Sequence, residues 1–434
     1  MTDGLGLGDV YGATIERIRA QGGHKSRLGM GALMWISYAE VPLSPDELCH
    51  ALAIELGSTD FNASNVPSIM TLVSCCQGLI TVDKEASTVR LIHFTLREYL
   101  SAHPDIFSRP HSTIAEICLT YLNSKQVKAF IANYRGTVYT HIGRNPFLEY
   151  CSRYWGVHAK KELSDCARSL ALQLFSEYDG LVSGILPLMT MMDFTPVDRR
   201  DKNRFLINGL HWASFVGIAE VVAALIGMKY YDLNEGDSGG LPPLSWAAAK
   251  GNEEVVKILI GQEEVNPDKP DNIGRTPLWH AVQYGREGVV KILLGREEVN
   301  PNTEDKFGIT PLLDATVRGY EGTVKILLGR EEVNPDKPGD DGTTLLSRAA
   351  ENGHEGVVKI LLAQEEVNPD KPDRSGRTPL SFAASVGREG VVKILLGHGE
   401  VNPDKPDRDG RTPLSYAAEY GWCEGVVKIL LAQE

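Results

Sequence analysis

Ser238 stands in Gly236-Asp237-Ser238-Gly239-Gly240, a G-x-S-x-G pattern that could expose a serine nucleophile for acyl transfer. Such a serine needs a histidine base beside it and an acid to orient that base. Phosphate chemistry would need a G-x-x-x-x-G-K-S/T loop, whose backbone N–H groups wrap phosphate and whose lysine reaches it. The chain has none. Gly4, Gly6 and Gly8 alternate without a lysine, and Gly23-His24-Lys25-Ser26 lacks the glycine before Lys25; both are expected to be flexible or turn segments. Metal chemistry fares no better: no H-E-x-x-H occurs, and His354-Glu355 has no second histidine one turn on. Neither a catalytic residue, nor a metal, nor a cofactor is expected.

The elements that would position these groups are set by a glycine that returns every 34 residues, at Gly217, Gly251, Gly285, Gly319, Gly353, Gly387 and Gly421. A period of this size marks stacked supersecondary units. In register the units are 203–236, 237–270, 271–304, 305–338, 339–372, 373–406 and a shortened 407–434. Thr276, Thr310, Thr378 and Thr412 precede prolines, the pairing that opens a helix: a hydroxyl for the free N–H groups, then a ring with helical φ. The helix runs to the periodic glycine, which can take the left-handed conformation that closes it. A second helix follows, with Val289, Val290, Ile292, Leu293 and Leu294 in an apolar stripe. Val299-Asn300-Pro301 ends it, since proline cannot continue the ladder. Asp237 and Gly240 fall on this same period, matching Asp271 with Gly274 and Asp373 with Gly376. The solenoid therefore explains two of the five residues of the Ser238 motif.

The frame resembles the ankyrin repeat, as Asp373, Gly376, Thr378, Pro379, Leu380, Ala383, Ala384, Gly387, Val391, Val392, Leu395 and Leu396 show in one copy. Only His211 occupies the family's usual histidine slot; Ser245, Trp279, Leu313, Ser347, Ser381 and Ser415 replace it elsewhere, and Pro242 and Leu345 break the Thr-Pro cap. The resemblance implies a non-enzymatic scaffold that binds a protein partner on a concave face. Positions that differ between copies fall where that face is expected: Asn272, Ile273, Arg275, Gln283 and Tyr284; then Lys306, Phe307, Ile309, Val317 and Arg318; then Asp340, Asp341, Thr343, Glu351 and Asn352. Arg374, Ser375, Arg377, Ser385 and Val386 continue the strip, as do Arg408, Asp409, Arg411, Glu419 and Tyr420. Arginine and aromatic side chains have the chemistry of interface anchors.

Residues 1–125 are organised differently. A helix running to Gln21 can be capped by Asp9, and Ser44-Pro45-Asp46-Glu47 is a capping box. A helix near Val66 to Gln77 leads into strands Leu79 to Asp83 and Thr88 to Phe94, and Leu96 to Ser101 turns helical again. Helices followed by a hairpin predict a winged helix. Its candidate groove-entering helix has no lysine or arginine, and Ile69, Met70, Leu72, Val73, Cys75 and Cys76 read as core, which argues against DNA recognition. A nucleic-acid-binding regulator stays as an alternative reading, and a serine hydrolase through Ser238 as a weaker one. Leu91-Ile92-His93-Phe94-Thr95 and Glu98-Tyr99-Leu100 resemble the winged helix that follows the nucleotide-binding module in NACHT-type ATPases of the fungal NACHT–ankyrin type. That resemblance implies that His93 senses nucleotide phosphate, that the repeats sense a partner, and that the ATPase module itself is missing from this chain.

The expected fold is mainly α: a winged-helix-like domain over 1–125, a helical connector over 126–202, and an ankyrin solenoid of helix pairs with hairpin loops over 203–434. Net charge is −13, with −11 of it in residues 203–434, so the solenoid repels phosphate backbones. No nucleic acid and no membrane are expected as partners. The apolar stretch Leu181 to Met192 is too short to span a bilayer, and Met1-Thr-Asp-Gly opens no secretory signal. Seven cysteines without ligand spacing read as reduced thiols, so a cytoplasmic or nuclear protein is expected. The last helix has an internal-type sequence, which leaves Val426, Val427 and Leu430 without a further layer and predicts a fraying or self-associating end.

Overall fold

A computed structural model describes residues 6–58, 60–132, 145–177, 207–419 and 423–432. The chain divides into two compact units, Met1–Tyr231 and Asp232–Glu434. The Leu181 to Met192 stretch, Tyr420, Gly421 and Trp422 lie outside the described residues.

The first unit begins with α1 (Leu7–Ala20), α2 (Gly23–Tyr38), α3 (Pro45–Ala53) and α4 (Ile69–Cys75). Asp9 accepts the Gly6 N–H at 3.0 Å, and α1 stops before Gly22, whose φ is +68°. The capping box at α3 forms as expected: the Ser44 N–H donates to Glu47 Oε2 at 2.8 Å and the Glu47 N–H to Ser44 Oγ at 3.3 Å. Strands β1 (Ile80–Asp83) and β2 (Thr88–Leu91) pair antiparallel, Ile80 opposite Leu91. Helices α5 (Phe94–Ala102), α6 (Pro110–Leu122), α7 (Lys125–Ala132), α8 (Leu148–Lys161) and α9 (Asp165–Glu177) follow, and the pair Gly209–Val216 and Ala219–Gly227 packs on α9. Helix α8 lies against α6, and Trp35 of α2 meets Phe147 and Tyr150 edge-on at 5.5 Å each. The winged helix and α8 therefore share one aromatic core.

Two expectations for this unit change. Gly23-His24-Lys25-Ser26 is not a turn but the first turn of α2, and Gly6 and Gly8 cap and enter α1. Helix α4 is shorter than the apolar run, because Ser68 caps it by accepting the Thr71 N–H at 3.1 Å; Met70 is then exposed rather than core.

In the second unit each copy repeats one arrangement. The loop aspartate closes the hairpin turn: Asp271 Oδ1 accepts the Ile273 and Arg275 N–H groups at 2.9 and 2.8 Å. Adjacent hairpins are joined through backbone, the Lys306 N–H donating to Ile273 O at 2.8 Å and the Arg408 N–H to Ser375 O at 3.0 Å. Threonine then caps the first helix, with Thr276, Thr310, Thr378 and Thr412 accepting the N–H three residues on. Thr344 does the same ahead of Leu345, so loss of the proline leaves that cap intact. Where serine replaces the expected histidine, Ser347 and Ser381 still meet the cap hydroxyls of Thr344 and Thr378 at 3.1 Å. The Ser245 hydroxyl, facing Pro242 instead of a threonine, has no hydrogen-bond partner among the described residues, although its N–H donates to Pro242 O at 2.9 Å.

The periodic glycines have two jobs. Gly251, Gly319 and Gly353 have φ of +80°, +76° and +80°, which closes each first helix. The side chain after the next periodic glycine also crosses them: a Cβ on Gly251 would come within 2.9 Å of Arg286 Cδ, and one on Gly353 within 2.8 Å of Arg388 Cδ. Arg286 and Arg388 use that passage to donate to Ala249 O and Glu351 O at 3.1 and 3.0 Å. Each second helix buries its stripe, with Val289, Val290 and Leu293 at most 1% exposed. At the last repeat Val426 and Leu430 are buried too, because the helices Glu389–Leu396 and Pro413–Glu419 pack on theirs. Val427 is half-buried, less covered than its counterparts Val290, Val358 and Val392, and Leu414, Ala418 and Leu431 lie with it on the uncovered face.

Candidate functional site

Hairpin loops and first helices of three consecutive repeats enclose a groove of about 420 Å³. Arg275, Trp279 and Gln283 come from one copy; Asp305, Phe307, Ile309, Leu313, Asp314, Val317 and Arg318 from the next; Arg348, Glu351 and Asn352 from the third. The groove thus gathers Arg275, Gln283, Phe307, Ile309, Val317, Arg318, Glu351 and Asn352 from the sequence candidates. Phe307 is 72% exposed at its hairpin tip, and Tyr284 is 48% exposed beside Gln283. An aromatic ring held out by a rigid turn has the chemistry of an interface anchor.

The arginines are less free than their residue type implies. Arg275 lies 3.8 Å over the Trp279 ring and reaches Asp305 Oδ2 at 3.3 Å, a carboxylate with no solvent exposure. Arg318 binds Asp314 at 2.7 Å, and Arg348 binds Asp341 at 2.7 Å. Away from the groove, Arg377 pairs with Asp373 at 2.8 Å and stacks on Phe382, and Arg411 pairs with Asp407 at 3.3 Å and stacks on Tyr416. These two candidates brace their own repeats. Asn272 spends its amide on Ser238 O at 3.0 Å, and Ile273 is half-buried. Lys306, Asp340, Arg374 and Arg408 are exposed. Thr343 is a correction: it is only 5% exposed, because Asp341 Oδ1 accepts its N–H at 2.9 Å and a short side chain cannot leave that turn.

Trp279, Asp314 and Arg348 were not among the binding candidates. For Asp314 and Arg348 a signal was present in the sequence, since they occupy one position of the period, also held by Trp246, His280, Phe382 and Tyr416. There Trp246, His280 and Tyr416 each bind the loop aspartate of their own copy, and the Tyr416 hydroxyl holds the Asp407 carboxyl below the usual range.

Ser238 sits in such a turn. Asp237 accepts the Gly239 and Leu241 N–H groups at 2.8 and 2.9 Å and the Trp246 indole N–H at 3.1 Å. Burial pushes the Asp237 carboxyl up, and no histidine bonds Ser238 among the described residues. His93 is exposed and caps α5: its Nδ1 accepts the Thr95 N–H at 3.3 Å and lies 2.8 Å from Thr95 Oγ1. A third cluster gave no sequence signal. Glu40, His111 and His158 converge in the first unit, where burial and then the neighbouring His111 hold the His158 imidazole down at about 4. All seven cysteines are free thiols. No helix of the described residues is long and apolar enough to cross a membrane.

Comparison with known proteins agrees with the repeat and winged-helix architecture. A model described as "Ankyrin repeats (3 copies)" matches residues 210–305, 288–373 and 362–434. The chain belongs to the ankyrin repeat family. Residues 16–120 match a second model, "GPI inositol-deacylase, winged helix domain". Among solved structures, the human ASB11 ankyrin repeat domain is 24% identical, with 52% of this chain and 97% of that one covered and a TM-score of 0.45. The ankyrin repeat domain of Bcl-3, of the IkappaB protein family, is 24% identical over 51% and 97%, with a TM-score of 0.46. A search of curated proteins finds no match.

Proposed function

We propose that the protein is the sensing and regulatory half of a signalling receptor of the NACHT–ankyrin type, working in the cytoplasm or nucleus. On this reading the groove around Phe307 captures a protein and the winged helix relays that event to an ATPase. The observation that carries it is the groove itself: an exposed aromatic tip beside Ile309, Leu313 and Val317, on a scaffold whose hairpins are locked by backbone bonds. A photo-crosslinking residue at position 307 should label one discrete protein in extract of the source cells, and one at exposed Lys325 on a second helix should not. Phe307→Asp should then weaken binding of that protein at least about tenfold, the scale of a lost aromatic anchor, with an unchanged melting temperature. Equal labelling at both positions would sink the reading.

Nucleic-acid binding is disfavoured by α4, which presents Met70 and no basic residue. Fluorescence anisotropy with a labelled duplex is expected to show no salt-dependent affinity; a steep salt slope would favour the DNA-reading alternative.

A further inference from the structure

We propose that Glu40, His111 and His158 form a binding site for a divalent transition-metal ion of the zinc or cobalt class. The three residues come from separate elements: Glu40 from the connection after α2, His111 from the first turn of α6 and His158 from the last turn of α8. Each offers one ligand atom, and these atoms all lie within 4.8 Å of one another. His111 Nδ1 and His158 Nδ1 are 2.8 Å apart. Two nitrogens on one tetrahedral zinc, each about 2.0–2.1 Å from the metal, stand roughly 3.3 Å apart. The imidazoles need to separate by only about half an ångström, well within a side-chain adjustment.

The surroundings already hold the ligands in place. His158 Nε2 lies 2.8 Å from the Tyr150 hydroxyl, and that hydroxyl accepts the Glu40 N–H at 3.2 Å. This is the outer contact that fixes the ring of a metal-ligating histidine and turns its other nitrogen inward. The Tyr38 ring meets His111 edge-on at 5.5 Å, which fixes the second imidazole. A cation already sits at the carboxylate: Lys161 Nζ is 2.6 Å from Glu40 Oε1. Its side chain is 47% exposed, so the ammonium can swing into water and leave Glu40 to a metal. Two imidazoles and one carboxylate suit zinc, cobalt or nickel and not calcium or magnesium, which take oxygen ligands. Three protein ligands leave a fourth position for water.

The test is titration of the full chain with cobalt(II) under a non-thiol reductant, read by visible ligand-field absorption and by competition with zinc. Saturable absorption at one equivalent is expected, without the near-ultraviolet charge-transfer bands of cobalt–thiolate bonds. Glu40→Gln and His111→Ala should each weaken binding at least about tenfold. Lys161→Met should tighten it, because the competing ammonium is gone. A merely structural histidine pair would not produce that gain. Binding that fails to saturate, that shows thiolate bands, or that is unchanged in Glu40→Gln overturns the site. Should His111→Ala lose its fold, the Glu40 and Lys161 variants decide the matter, since both alter partly exposed side chains.

Discussion

Trp35→Ala is expected to destabilise the first unit by about 3–5 kcal/mol, the usual cost of emptying a buried aromatic site. Trp35 has no solvent exposure, and its ring is held edge-on by Phe147 and Tyr150, which themselves stack at 5.9 Å. Its indole N–H has no hydrogen-bond partner among the described residues. Trp35→Phe therefore breaks no bond and should cost only the lost volume, on the order of 1–2 kcal/mol. Urea unfolding followed by near-ultraviolet circular dichroism separates the two variants. A Trp35→Ala loss below about 1 kcal/mol would mean that α2 does not share a core with α8. The prediction matters for the proposed relay, because the rings of Trp35, Tyr121, Phe147 and Tyr150 tie α2, α6 and α8 into one packed cluster.

The repeats were legible because their constraints act on single residues at fixed distances. A left-handed φ at Gly251 or Gly353 selects glycine, and a helix start at Thr276-Pro277 selects those two types, so the period appears in the letters themselves. Half the reason for the glycines was hidden, since the passage of Arg286 over Gly251 exists only between stacked copies. Helix α2 was missed because glycines at 23, 29 and 31 interrupt its apolar pattern. Gly29 is there for close approach: a Cβ would meet Ile18 Cγ2 at 2.7 Å and Cys75 O at 2.8 Å. Comparing copies singled out Phe307 and Ile309, which line the groove, since a position that varies on a fixed scaffold is solvent-facing more often than not. The same comparison could not show how Arg377 and Arg411 are held, because residue type does not reveal that a guanidinium pairs with Asp373 or Asp407. The cluster of Glu40, His111 and His158 left no trace in spacing, as its members meet only through tertiary packing.

Gly376→Ala is expected to destabilise the second unit by about 2–3 kcal/mol, whereas Gly356→Ala should change it by less than about 1 kcal/mol. Both glycines are periodic and both lack room for a Cβ, yet what fills the room differs. Gly376 has φ +91°, and a Cβ there would stand 2.8 Å from Arg408 N and 3.0 Å from Asp407 Cα. Those are backbone atoms of the next hairpin, fixed by the Arg408 N–H donated to Ser375 O, so neither the strain nor the clash can relax. At Gly356 the colliding group is the Glu321 carboxylate, the end of an exposed side chain that can rotate into water. Alanine also favours the helix Glu355–Leu362 in which Gly356 lies, by up to about 1 kcal/mol. Urea midpoints of the two variants compare them directly. Because each repeat is stabilised only by its neighbours, a broken hairpin contact at Gly376 weakens the units on both sides of it. If Gly356→Ala proved equally damaging, the Glu321 carboxylate would have to be a bound element of the stack rather than a solvated charge.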